Sequence, residues 1–188
     1  MNSQQTNEVA FWRDWVTHNG GPDGFVQLRT VTDFESRTAF FPDLLAETGK
    51  GLDYGCGLVS IFDDCDLTMD AYDPLQAEYD AIYSHYGTAR YVARPRGPYD
   101  FACCFNVIDH TPDPHGLLKA LAALLVEGGR LYFEVNFDPE LYPAAHYALW
   151  RPETVTEHLS AWNLVRSQTR PSGDLDGQMC HEAVYLRP

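Results

Sequence analysis

Two glycines flanked by two aspartates, in the stretch LDYGCGLVSIFDDCDLTMDAYDPL at residues 52–75, have the types and spacing to grip a polar ligand. Gly55 and Gly57 carry no Cβ, so the backbone there can approach a bound group closely. Asp53 stands before the turn, and Asp73 follows a second apolar run twenty residues later. A carboxylate at that later position can accept two hydrogen bonds from a ribose diol. Farther along, FNVIDHTPDP places Asn106 and His110 after another apolar run, a further wall of the same expected cleft. His110 is a candidate catalytic residue; the structural alternative is a cap for the next turn or packing under Pro112. His146 and Trp150, in HYALWRPETV, belong to an aromatic loop at 137–150. A histidine there could serve as a general base, because its unperturbed pKa lies near neutrality; the structural alternative is an aromatic cluster at the edge of the core.

These residues must be held by elements legible in the hydrophobic pattern. GLDY, LTMDAY, ARYV, YDFACCFN and RLYFEVNF read as strands. Between them lie a stunted helix at about 59–64, a helix PLQAEYDAIYSHY opened by Pro74 and closed by Gly87, and a helix PHGLLKALAALLVEGG. RPETVTEHLSAW is a later helix, and LVRSQTR and HEAVYLR are two final strands joined by the turn PSGDLDG. Strands separated by helices imply a parallel sheet, and the last pair, with no helix between them, requires one antiparallel strand. Upstream, residues 7–18 put Phe11, Trp12, Trp15 and Val16 on one helical face, ended by Asn19-Gly-Gly-Pro-Asp-Gly24. Thr32-Asp-Phe-Glu35 has the pattern of a capping box for a second helix, bent by Pro42 and ended by Gly49. The expected fold is a doubly wound, Rossmann-like α/β domain, mostly parallel, with an antiparallel C-terminal strand and an N-terminal helical cap. One domain would span 1–188, with the cap at 1–49 and the α/β core at 50–188.

Composition narrows the chemistry. Thirteen basic against 27 acidic residues give a net charge of −14, and no basic cluster offsets it, so nucleic acid is not expected as a partner. No run is apolar enough to cross a bilayer, and the N-terminus lacks a signal core, so a cytoplasmic protein without a membrane association is expected. Five cysteines, two of them adjacent in an apolar run, fit reduced and mostly buried thiols. Cys103 and Cys104 read as core, as do Trp12, Trp15, Phe40 and Phe41 as core or lid packing. The seven histidines show no ligand spacing, so no metal site is expected. The chain is expected to be a monomer or homodimer.

With those residues in place, the chain over roughly 50–188 resembles the class I S-adenosylmethionine-dependent methyltransferases. LDYGCG is similar to the family's first motif, AYDP to its ribose-binding acidic motif, and YDFACCFNVIDHTPDP to the segment along the methionine side. LLVEGGRLYFEV is similar to the turn and strand that follow. DPLQAEY with NVIDHTPDP further resembles a small bacterial subset in which the third glycine is commonly replaced. The resemblance implies that Asp53, Tyr54, Gly55, Cys56 and Gly57 hold the methionine end of S-adenosyl-L-methionine. It implies that Asp73 and Pro74 take the ribose, and that the backbone near Phe105 and Asn106 lines the sulfonium. With the acidity and the aromatic loop 137–150, a compact organic acceptor such as a sugar, phenol or amino compound is expected, methylated by direct displacement. Leu58-Val59 stand where a third glycine is frequent, and ARPRGPYD has no acidic or amide residue for the adenine amino group. A tighter or weaker pocket is expected.

Two other readings compete. Gly55-Cys-Gly57-Leu-Val-Ser60 approaches G-x-G-x-x-G, the pattern of a nicotinamide or flavin oxidoreductase, although too few residues follow 136 for a substrate domain. A catalytically silent methyltransferase-like binding or scaffolding protein is the other.

Overall fold

A computed structural model of the chain describes residues 3–82, 88–137, 152–171 and 179–188. The chain divides into two compact units, Met1–Pro95 and Arg96–Pro188.

The first unit opens with helix α1 (Ser3–His18) and a helical run made of α2 (Gly21–Gln27), a π-helical turn at Leu28–Asp33 and α3 (Phe34–Thr38). Gly20 and Gly21, both at positive φ, end α1 as the sequence predicts. The next helix restarts at Gly21 with Pro22 in its first turn, so residues 21–24 belong to a helix and not to a loop. Thr32–Glu35 therefore lies inside a continuing helical run. Asp33 makes no cap and instead pairs with Arg29 at 2.7 Å. The run stops at Thr38, before Pro42 could bend it.

Three parallel strands follow: β1 (Lys50–Tyr54), β2 (Thr68–Tyr72) and β3 (Arg90–Tyr91), in the order β3-β2-β1. The middles of β1 and β2 are buried on both faces, as a covered parallel sheet requires. Buried Asp70 ties them together, taking a two-pronged hydrogen bond from Arg90 and an ion pair from Lys50 at 3.0 Å. No helix forms at 59–64; the segment is a chain of turns closed by Ser60–Asp63 and Phe62–Cys65 backbone bonds. Between β2 and β3 the described residues form regular helix in α4 (Gln76–Tyr79), which begins two residues past Pro74. Turns occupy 80–82, and Gly87 lies outside the described residues.

The second unit holds β4 (Tyr99–Phe105), α5 (Pro114–Leu124), β5 (Leu125–Phe137), α6 (Pro152–His158), β6 (Asn163–Pro171) and β7 (Met179–Leu186). Asp113 caps α5 by accepting from Gly116 N at 2.8 Å. This helix ends five residues earlier than its apolar pattern suggests. Leu125 already pairs with Tyr99, and Gly128, at φ 71°, turns within the strand. Strand pairing overrides helix propensity there.

The order is β4-β5-β7-β6. β4 and β5 run parallel, and β7 is antiparallel to both its neighbours. Phe101, Cys103, Leu131, Phe133 and Val135 are sealed from solvent, each large apolar side chain contributing about 2 kcal/mol. The PSGDLDG turn lies outside the described residues apart from Pro171. The chain is thus α/β, with seven strands among the described residues, mostly parallel and antiparallel at the C-terminus, preceded by helices.

Candidate active site

Because β1 and β2 are parallel neighbours, with Tyr54 opposite Tyr72, their carboxyl ends open side by side. The glycine turn and Asp73 therefore meet. Gly55 N and Cys56 N both donate to Tyr72 O, at 2.7 and 3.1 Å, so the strand end itself holds the turn. Gly55 at φ 77° and Gly57 at φ 67° occupy the left-handed region that side chains resist. Asp73 closes the arrangement: Oδ2 accepts from Gly57 N at 3.0 Å and Oδ1 from Leu75 N at 2.8 Å. One carboxylate thus fixes both the glycine turn and the start of the α4 segment.

Asp73 is 7% exposed. Burial pushes its pKa up to about 7, against the pull of the Leu75 and Gly57 N–H groups, and the nearby Glu8 raises it further. Asp53 faces inward and accepts from Ser60 Oγ at 2.7 Å. Burial raises it to about 6, while the Ser60 hydrogen bond and the charges of Arg29 and Arg37 oppose the rise. Asp53 thus braces the loop through its carboxylate. Tyr54 packs against Tyr72, with ring centroids 5.1 Å apart, and Pro74 is exposed. Cys56 is buried, which pushes its thiol well up, and it is no nucleophile. The other four cysteines are also free thiols.

Several residues of this site were silent in the sequence. Tyr91, on β3, donates to Asp63 Oδ2 at 2.6 Å and accepts from Ser60 N at 2.9 Å. Asp63 is fully buried and also accepts from Ala89 N at 3.1 Å. This Asp53–Ser60–Tyr91–Asp63 staple orders the turns where a helix was expected. Arg29, in the π-helical turn, donates to the carbonyls of Cys56 and Val59 at 3.3 Å each. Such turns recur at functional sites.

Trp12 of α1 lies under the Arg29 guanidinium, 5.5 Å from ring centroid, and against Gly57. A Cβ on Gly57 would stand 2.9 Å from Trp12 Cζ2, so only glycine fits. Val9, Val16 and Trp12 pack with Leu58, Val59, Leu75 and Tyr79, and Tyr79 donates to Glu8 at 3.0 Å. The aromatic face read from the sequence is core packing for Trp12, Trp15 and Val16; Phe11 is 43% exposed.

In the second unit, Phe105 ends β4 and Asn106 turns the chain at φ 54°. His110 closes a short 3-10 turn (Ile108–His110), with Nε2 3.7 Å from Asp109 Oδ2. His146 and Trp150 lie outside the described residues, as does the 137–150 loop beyond Phe137.

A family model described as a methyltransferase domain matches residues 26–167. The chain belongs to the S-adenosylmethionine-dependent methyltransferases. Over 142 residues it is 30% identical to the ubiquinone biosynthesis O-methyltransferase of Aeromonas salmonicida (strain A449). That match takes in 73% of this chain but spans only 54% of the relative's length. Among solved structures, 1,6-didemethyltoxoflavin-N1-methyltransferase of Burkholderia thailandensis, with 1,6-didemethyltoxoflavin and S-adenosylhomocysteine bound, is similar at TM-score 0.66 and 18% identity. It aligns with 100% of this chain and 91% of its own. The N-methyltransferase NodS of Bradyrhizobium japonicum WM9, in complex with S-adenosylhomocysteine, gives 0.60 at 18% identity, over 82% of this methyltransferase chain and 88% of its own. At these identities the structures speak for the fold. Family membership sets the nicotinamide reading aside. No helix among the described residues is long and apolar enough to cross a membrane.

Proposed function

We propose that this methyltransferase transfers the methyl group of S-adenosylmethionine to a small-molecule acceptor. The observation that carries the reading is the weld between the glycine turn and Asp73, whose carboxylate accepts from Gly57 N at the carboxyl ends of two parallel strands. The cofactor fits the acceptors of this site. Each Asp73 oxygen has accepted one N–H and can accept another hydrogen bond, which leaves capacity for a ribose diol. Gly55 and Gly57 would hold the methionine end through the backbone, and the Phe105–Asn106 backbone would line the sulfonium. When bound, the cofactor supplies an electrophilic methyl group that an acceptor displaces directly. The protein's share is alignment of the acceptor and exclusion of water. His110 and His146 are the residues we assign to proton removal from a hydroxyl acceptor. The net charge of −14 favours a small acceptor over nucleic acid, and the five cysteines favour the cytoplasm. We take residues 1–188 to form one methyltransferase-like domain, and the protein to be a monomer or homodimer.

A second reading has one observation in its favour. Trp12 lies on Gly57, and the Asp73 carboxylate is buried, so the cofactor turn is covered by the chain's own first helix. A catalytically silent binding protein would tolerate that permanently. Isothermal titration calorimetry with S-adenosylhomocysteine separates the two: the methyltransferase reading requires saturable one-to-one binding, and none would be seen if the turn were permanently closed.

A further inference from the structure

Among the described residues, Asn106 is the one non-glycine with a positive φ. Asparagine tolerates the left-handed region better than most residues, yet it holds that shape reliably only when neighbours enforce it. Here three hydrogen bonds do so. Asn106 N donates to Glu134 O at 2.9 Å, and its Nδ2 donates to Glu134 Oε1 at 3.0 Å. Its Oδ1 accepts from Asn136 N at 2.9 Å. The side-chain amide is thus engaged at both ends by β5.

Glu134 is 3% exposed and sits opposite Glu182, which is fully buried, on β7. Their carboxylates and the Cys180 thiol offer ligand atoms within 4.8 Å of one another, the spacing of a metal cluster. The hydrogen bonds point elsewhere. Arg170 donates to Glu182 Oε1 through Nη2 at 2.6 Å and Nε at 3.1 Å, and Gln168 donates to Oε2 at 2.7 Å. Glu182 is therefore neutralised from the edge strand, and Glu134 is directed at the turn. Buried carboxylates are expensive unless paired or hydrogen-bonded, so this stripe across β6, β7 and β5 needs a return. The turn after β4 is where it delivers one.

We propose that Glu134, assisted by Asn136, is a positioning residue that locks Asn106 in the left-handed conformation and so sets the backbone of the Phe105–Asn106 turn for the cofactor. The link to the cofactor rests on the methyltransferase reading above; the clamp itself does not. The amide of Asn106 is spent on β5, so the turn offers its backbone, and its shape is what matters. Glu134 acts through Asn106 and touches no reacting atom.

A double-mutant cycle with two readouts tests this: hydrogen exchange at the Asn136 amide, and the dissociation constant for S-adenosylhomocysteine. Glu134→Leu should speed Asn136 exchange at least about tenfold and weaken affinity about tenfold. Glu134→Gln, whose Oε1 can still accept from Nδ2, should stay within about threefold of the unaltered chain in both. In an Asn106→Gly background, where the backbone needs no clamp to reach positive φ, Glu134→Leu should cost almost nothing further in affinity. Should Glu134→Leu not fold, Asn106→Ala against Asn106→Gly decides: alanine should bind at least about fivefold more weakly. Unchanged exchange and affinity in Glu134→Leu, an equal loss in both Asn106 backgrounds, or equal affinity of the alanine and glycine variants would each overturn the proposal. If the unaltered chain binds no S-adenosylhomocysteine while the exchange pattern appears as described, the methyltransferase reading fails and the clamp stands.

Discussion

The turn after β1 takes its left-handed backbone from glycines, Gly55 at φ 77° and Gly57 at φ 67°, whereas the turn after β4 takes it from Asn106 at φ 54°. Both are fixed by an acid from the adjacent parallel strand or its end: Asp73 through Gly57 N, Glu134 through the Asn106 amide. The glycine turn needs only an acceptor, because its shape costs little. The asparagine turn needs acceptors and a donor, because its shape must be held. A glycine turn is also open to crowding from above, and Trp12 occupies the space where a Cβ would project. The difference teaches where each turn is vulnerable: the first to added volume, the second to lost hydrogen bonds.

A large expected effect follows from that volume. Gly57→Ala places a Cβ against the Trp12 indole and forces a left-handed alanine, a cost of about 2 kcal/mol or more. Thermal unfolding should report the loss, and calorimetry at least about a tenfold drop in S-adenosylhomocysteine affinity. Asn106→Gly should lower S-adenosylhomocysteine affinity far less, because glycine reaches the positive φ unaided, and equal affinity losses at the two turns would break the comparison.

Next comes the staple that substitutes for a helix under the first turn. Tyr91→Phe removes the donor to Asp63 and the acceptor for Ser60 N, leaving a buried carboxylate short of a partner. Roughly 1–3 kcal/mol of stability should be lost in denaturant titration. A change below about 0.3 kcal/mol would show that the turns at 58–64 stand without it.

A smaller effect concerns protons. Asp73 titrates near 7 in the fold and near 3.8 when unfolded, so the folded state binds more protons between those values. Its contribution to stability is complete below pH 3.8 and is lost as pH rises through about 7. Asp53, raised to about 6, acts in the same direction. Melting temperature should therefore fall from pH 5 to pH 8, and Asp73→Asn should flatten part of that slope. Because the acidic chain also gains from reduced self-repulsion on acidification, the difference between the two proteins is the diagnostic quantity. Parallel slopes in the two proteins would mean that Asp73 keeps an ordinary carboxylate pKa.

Strand positions, the glycine turn and Asp73 were legible because each rests on local chemistry: apolar runs, missing Cβ atoms and a carboxylate at a strand end. The helix at 59–64 was not, because its absence depends on Tyr91 and Asp63, whose partnership spans 28 residues. Likewise Glu134 lies 28 residues beyond Asn106 and looks like one polar residue in an apolar strand. The Thr32–Glu35 pattern misled because a helix was already running through it, with Asp33 taken by Arg29. Leu125–Gly129 misled because pairing with β4 starts before the helical pattern ends. Trp12 was legible as an apolar-face residue, but its place over Gly57 was not, since nothing local links a first helix to a turn 45 residues later.

The weld between Asp73 and the glycine turn is the central claim, and calorimetry on Asp73→Ala tests it most directly. The unaltered chain should bind S-adenosylhomocysteine one to one. Asp73→Ala, folded by circular dichroism, should bind at least about 30-fold more weakly, because hydrogen bonds to a charged acceptor are worth about 1.5–3 kcal/mol each. Equal affinity in the two proteins would contradict the account.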